Sequence, residues 1–196
     1  MIEQIEQIPP PEEIRPQNKS GWRHFLIDTV ETILLALILT FGINLVSARV
    51  RVENISMQPT LHQGEFLLVY KLAYQNSLPR TGDIIIFHAP PEPGEDFIKR
   101  VIGAPGDRVR IQDGNVFVND ILLQEDYIAN IPNYNGEYDV PADKLFVLGD
   151  NRNSSSDSHV WGFVPLINVV GKAILIYWPV TEARLLTPSN IVTASP

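Results

Sequence analysis

From Thr32 to Ala48 the chain carries no charged side chain for seventeen residues (TILLALILTFGINLVSA), and no other feature limits its fold so strongly. As a helix this run is about 25 Å long, just short of the ~30 Å hydrocarbon core of a bilayer. Extending it back to Phe25 reaches a full span and sets Asp28 and Glu31 at headgroup depth on one helical face. Two other readings compete. One is a buried core helix, with Gly42 and Asn44 inside the run. The other is a cleaved leader ending at the small-residue triplet Val46-Ser47-Ala48. The segment ahead of the run is long and acidic and contains Pro9-Pro10-Pro11, and the run exceeds an ordinary leader core. A retained single-span anchor is therefore expected, with residues 1–24 as a flexible arm and 25–48 as the anchor.

Orientation is weakly encoded. Arg15, Lys19 and Arg23 precede the span and Arg49 and Arg51 follow it. Long domains translocate whatever their charge, so the three leading cations favour a cytoplasmic N-terminus and a large part on the far side of the cell membrane.

The rest of the chain reads as β-structure. Short apolar runs rich in Val, Ile and Phe recur between turn signals: Phe66–Lys71, Asp83–Phe87, Phe97–Ile102, Arg108–Gln112, Asn115–Val118, Leu145–Leu148 and Ala173–Trp178. Asp113-Gly114 between two of them is a strong hairpin signal. Residues 124–143 read as an irregular excursion with Asn-Gly and Pro turns. The expected fold is mainly β: one transmembrane helix, then an antiparallel catalytic domain over 49–179 with a small hairpin or flap insertion, and a peripheral tail over 180–196.

Composition narrows the chemistry. There is no cysteine, which removes disulfides, cysteine-based zinc sites, iron–sulfur clusters and thiol nucleophiles. A net charge of −8 argues against a nucleic-acid partner. No phosphate-cradling glycine motif occurs, and the four histidines are scattered without metal-ligand spacing, so no metal and no cofactor is expected. A Ser-His-Asp triad can be drawn from Ser56, His159 and Asp157, as from many such sets. Lys99 is unusual: it lies inside an apolar strand between Ile98 and Val101. If buried, its amine loses affinity for a proton and becomes a competent base near neutral pH.

Three segments stand out beyond composition: NISMQPTL (54–61), FIKRVIGAPGD (97–107) and GDNRNSSSDSHVWGFVP (149–165). Together with GDIIIF (82–87) and the preceding apolar run, in this order, they resemble the bacterial type I signal peptidases from about Phe25 to Pro179. The resemblance implies a membrane-anchored serine–lysine protease that removes signal peptides from secreted preproteins after small-x-small sites. It implies Ser56 as nucleophile, Lys99 as general base, and Ser155 as the serine that hydrogen-bonds and orients the lysine amine. It also implies oxyanion donors at the Ser56 backbone N–H and at residue 54, here Asn54. Val50, Val52, Leu61, Phe97 and Ile98 are the expected pocket lining, and Asp150, Arg152 and Asp157 are expected as structural residues of the third motif. The chain departs from the family at Asn153-Ser154, where Asp-Asn is common, and at His159, where arginine is common. That leaves His159, in its protonated form only, or Arg152 as the partner of Asp157. The expected partners are signal-peptide-bearing preproteins and the lipid bilayer. Two rivals are a self-cleaving Ser-Lys repressor peptidase, which would lack the span and carry a DNA-binding domain, and a catalytically inactive membrane-tethered β module.

Overall fold

The computed structural model describes residues 20–92 and 94–187; most of the expected N-terminal arm and the end of the tail lie outside them. The chain divides into two units between Gly42 and Ile43. Helix α1 runs Ser20–Val46, so it begins ahead of Phe25 and stops just before Ser47. Its residues Gly21–Val46 are long and apolar enough to cross a membrane, and the apolar stretch is buried nowhere against protein. That excludes the buried-core reading of this helix. The hydroxyls of Thr29, Thr32 and Thr40 donate to carbonyls one turn back, at Phe25, Asp28 and Ala36. These three hydroxyls are thus satisfied within the helix, as an apolar solvent demands.

The remainder is antiparallel β-structure, as its apolar runs imply. Strands β1 (Ser47–Arg51), β2 (Phe66–Tyr70), β3 (Ile84–His88), β4 (Asp96–Gly103), β9 (Lys144–Leu148), β10 (Val164–Pro165), β11 (Val169–Trp178) and β12 (Arg184–Leu185) form the larger sheet. Its order is β1-β2-β11-β3-β4-β9-β10, with β12 beside β11. β1 is an edge strand, paired only with β2 among the described residues. A smaller sheet, ordered β7-β6-β5-β8, contains β5 (Arg108–Gln112), β6 (Asn115–Val118), β7 (Ile121–Leu122) and β8 (Gly136–Asp139). Among the described residues one short α-helix follows α1: α2, Ser158–Trp161.

The period-2 logic of strands explains the layering. Ile84 and Ile86 enter one core cluster with Val52, Met57 and Leu61, while Ile85 and Phe87 enter another with Val101 and Val147. β3 is covered on both faces, hence its unbroken apolar reading. A third cluster, including Ile102, Val109, Ile111 and Phe146, joins the smaller sheet to β4 and β9. The β5–β6 hairpin closes at Asp113-Gly114 with φ of 50° and 80°, the doubly left-handed turn the dipeptide announces.

Two expectations need correcting. The excursion at 124–143 is not wholly irregular, because β8 pairs with β5. Its sequence, GEYD, hides it: an edge strand half open to water needs no apolar run. Nor is the segment after Pro179 wholly peripheral, since Arg184 and Leu185 pair with Ile176 and Leu175 of β11.

Candidate active site

β1 leads into a tight turn over residues 55–60. Met57 and Leu61, both fully buried, plug this turn into the core and leave Ser56 half-buried at its rim. The backbone closes locally, with Gln58 N donating to Ile55 O and Leu61 N to Met57 O. The segment after β9 clips it from the side: Asn151 N donates to Ser56 O at 2.9 Å, and Asn151 Nδ2 to Ile55 O at 3.3 Å.

Lys99 reaches the same point from β4, where it lies opposite Ile85. Only 4% of it is exposed. Its Nζ donates to Ser56 Oγ at 2.8 Å and to the Ile98 carbonyl at 3.2 Å, and lies 5.2 Å from the centre of the Phe97 ring. Burial strips water from the ammonium form and pulls the lysine pKa down to about 8, against the smaller opposing pull of Asp157 and Asp150. A base and a hydroxyl in contact, with the base half neutral near pH 8, is the arrangement nucleophilic catalysis requires.

A groove of about 600 Å³ opens beside this pair. Residues 50–57 line it on one side, residues 95–99 on another, and Ser154 and Ser156 border it. Val50, Val52, Asn54, Phe97 and Ile98 all lie in this lining, whereas Leu61 belongs to the core beneath the turn. Leu61 is thus better read as a residue that holds the turn than as pocket lining.

The third motif builds the wall behind the pair. Gly149 is a close approach: a Cβ there would lie 2.5 Å from Ser56 O and 2.6 Å from Ser155 Cβ, and nearer still to Ser155 Oγ. The buried Ser155 Oγ has no hydrogen-bond partner, so the expected bond to Lys99 is not made in this conformation. Asp157, fully buried, accepts from Gly149 N at 2.9 Å through Oδ2. Its Oδ1 meets His159 Nδ1 at 2.6 Å and caps α2 by accepting from His159 N. His159, not Arg152, is therefore the partner of Asp157. Because Ser56 Oγ is bonded to Lys99 while His159 Nδ1 is turned to Asp157 and its ring stacks on Tyr134, a triad through His159 has no support.

Two buried arginines complete the setting. Arg100, next to Lys99, grips Asp150 with two bonds of 2.8 and 2.7 Å and lies 3.8 Å over the Tyr127 ring. Arg152 forks onto Glu125, whose Oε1 also accepts from Tyr127 Oη at 2.7 Å. The sequence reading missed Glu125, Tyr127 and Tyr134. They lie in the excursion at 124–143, where isolated polar residues carry no periodic signal; only the charge of Glu125 facing an otherwise unpaired buried arginine reveals its role. Among the described residues no three His, Asp or Glu side chains converge as metal ligands.

The chain is similar to proteins of one known family. Residues 26–178 match the family model described as signal peptidase, peptidase S26. The chain is 42% identical over 191 residues to a signal peptidase I of Leptolyngbya laminosa, covering 93% of each protein. It is 44% identical over 165 residues to a probable signal peptidase I-2 of Synechocystis, covering 80% of this chain and 75% of that one. Thylakoidal processing peptidase 1 of Arabidopsis thaliana is 41% identical over 139 residues, or 65% of this chain and 41% of that one.

Proposed function

The chain belongs to the signal peptidase family, peptidase S26, and from that premise we propose that it cuts signal peptides from secreted preproteins with Ser56 as nucleophile and Lys99 as general base. The observation that carries this reading is the 2.8 Å contact between Lys99 Nζ and Ser56 Oγ inside a desolvated pocket. A serine hydroxyl attacks only once a base takes its proton, and a lysine can take it only when neutral. The drop in its pKa to about 8 gives a useful neutral fraction.

In the proposed reaction, neutral Lys99 accepts the Ser56 hydroxyl proton as Oγ bonds to the scissile carbonyl carbon. The negative charge moves to the carbonyl oxygen, where the Ser56 N–H and the Asn54 side-chain amide donate to it. The ammonium on Lys99 then protonates the leaving amine as the peptide bond breaks. A water repeats the attack on the acyl ester, losing its proton to Lys99, which passes it to Ser56 Oγ as the ester bond breaks, so that the free serine and the neutral lysine are restored. Ser155 keeps a place in this scheme, because its buried hydroxyl flanks Gly149 together with the Ser56 carbonyl and has no other partner. It is free to accept a hydrogen bond from the ammonium that Lys99 becomes.

Substrate selection follows from the groove. Val50, Val52, Phe97 and Ile98 give it shallow apolar walls, which suit small side chains at the positions three before and next to the cut. Helix α1 serves as the membrane anchor, supported by its length and its internally satisfied hydroxyls. The N-terminus is assigned to the cytoplasmic side on Arg15, Lys19 and Arg23. Since the apolar segment of a preprotein also lies in the bilayer, tethering raises its effective concentration without tighter contacts.

The test is full-length Ser56→Ala and Lys99→Ala in detergent, each incubated with a preprotein carrying Ala three before and next to the expected cut. Both variants should be inactive and the wild-type product should begin just after the second Ala. Wild-type cleavage by either variant sinks the dyad.

A further inference from the structure

The nucleophile turn is held from outside as well as from below. Thr60, its last residue, lies between two guanidinium groups. On the inner side Arg100, neighbour of Lys99 on β4, reaches Thr60 Oγ1 with Nη2 at 3.4 Å. On the outer side Arg184 donates through Nη2 to the Thr60 carbonyl at 2.6 Å. Arg184 belongs to β12, six residues past the end of the family match, and is fixed there by the pairing of β12 with β11 and by Leu186 N donating to Ile174 O.

The same guanidinium answers an electrostatic need. Glu65 is 3% exposed. Its Oε2 accepts from His62 N at 2.9 Å, but Oε1 has no hydrogen bond. Two groups face that oxygen: Arg184 Nη1 at 3.7 Å and His62 Nδ1 at 3.9 Å. A buried carboxylate with one bond and no cation is costly, so Glu65 holds Arg184 in place while Arg184 holds Thr60. Arg184 Nη1 also donates to Glu182 O at 3.1 Å and lies 3.7 Å from Glu182 Oε2, which fixes its direction. Glu65 is in turn tied to the groove, because its carbonyl accepts from Val52 N at 2.8 Å.

We propose that Arg184 is a positioning residue for catalysis: from the C-terminal strand it clamps both ends of the segment Thr60–Glu65 and so sets the distance between Ser56 and Lys99. The inference rests on the dyad reading above. A displacement of about 1 Å at the nucleophile is enough to cost on the order of a hundredfold in rate. Arg184 lies past residue 178, where the family match ends, whereas Thr60 and Glu65 lie within it.

The experiment uses the full-length protein in detergent, with kcat, KM and thermal unfolding measured for Arg184→Ala, Arg184→Lys and Ser56→Ala on one preprotein. Arg184→Ala should lower kcat roughly ten- to a hundredfold with KM changed less than about twofold. Arg184→Lys, which keeps the positive charge and a donor on the same strand, should recover most of the loss. The midpoint of the pH–rate profile should not move, because Arg184 does not touch Lys99. Wild-type kcat in Arg184→Ala overturns the clamp. So does a loss that tracks unfolding and KM together, or a lysine variant no better than alanine. An active Ser56→Ala would instead overturn the dyad, whatever Arg184 does.

Discussion

The His159 imidazole meets the buried Asp157 carboxylate at 2.6 Å while its ring lies flat on Tyr134, 3.9 Å between centroids and 7° from parallel. With a proton on Nδ1 the imidazole donates to the carboxylate, which supplies the charge in this bond. His159→Ala should cost about 2 kcal/mol of stability, the worth of one hydrogen bond to a charged group. His159→Arg should stay within about 1 kcal/mol of wild type, keeping both the bond and a planar group for Tyr134. Denaturant unfolding measures both; an alanine variant as stable as wild type would show that the bond contributes nothing.

Activity should rise with pH through about 8, where the buried Lys99 amine becomes neutral, and level off above about 9. A profile flat between pH 6 and 10 would be incompatible with Lys99 as base.

The same shift has a stability consequence. The folded pKa lies below the unfolded one, so the protonated lysine opposes folding below pH 8, and that cost fades between pH 8 and 10.5. A shift of this size corresponds to roughly 3 kcal/mol at neutral pH. Lys99→Met should therefore be inactive yet more stable than wild type at pH 7, with the advantage shrinking as pH rises toward 10. Chemical denaturation at pH 7 and 10 provides the comparison, and an equal or larger gain at pH 10 would contradict it.

Gly149→Ala should damage catalysis more than folding. Its Cβ would press on Ser56 O, a backbone atom that cannot rotate away. Overpacking of this kind costs about 1–3 kcal/mol of stability, while the nucleophile itself is displaced. Adding Ser155→Gly should not restore the rate, since the clash with Ser56 O remains. A single variant with wild-type kcat would mean that the wall behind Ser56 is softer than its packing implies.

Asn54→Ala should lower kcat by about 10²–10³ with little change in KM, the usual loss for one oxyanion donor. Asn54→Ser, which keeps a donor, should recover part of it. Unchanged kcat in the alanine variant would assign the second donor elsewhere.

Local patterns made much of this molecule readable. The seven apolar runs became strands β2, β3, β4, β5, β6, β9 and β11 because each strand's burial is written in its own residues. Asp113-Gly114 closed its hairpin because the turn's dihedral angles depend on those two residues alone. Ser56 and Lys99 were legible through motifs, although 43 residues separate them. Pairings that depend on distant polar partners were not. Nothing near Arg152 points to Glu125, and nothing near Glu65 points to Arg184. Polar residues meet across a fold without leaving periodicity behind. Ser155 is the intermediate case: its motif suggested a contact with Lys99, and its packing against Gly149 gives the hydroxyl a different neighbour.

Edge strand β1 has one more consequence. It continues into the groove wall at Val52 and Asn54, so its outer hydrogen-bonding groups cannot be sealed by another strand without closing the groove. An open edge is also an invitation to self-association. Arg49 and Arg51 both lie exposed on one face of it. A symmetric antiparallel pairing of two copies centred on Arg49 would set that guanidinium against its own image, while an incoming chain without such charges meets no such penalty. Charge on this edge therefore opposes that one pairing of two copies.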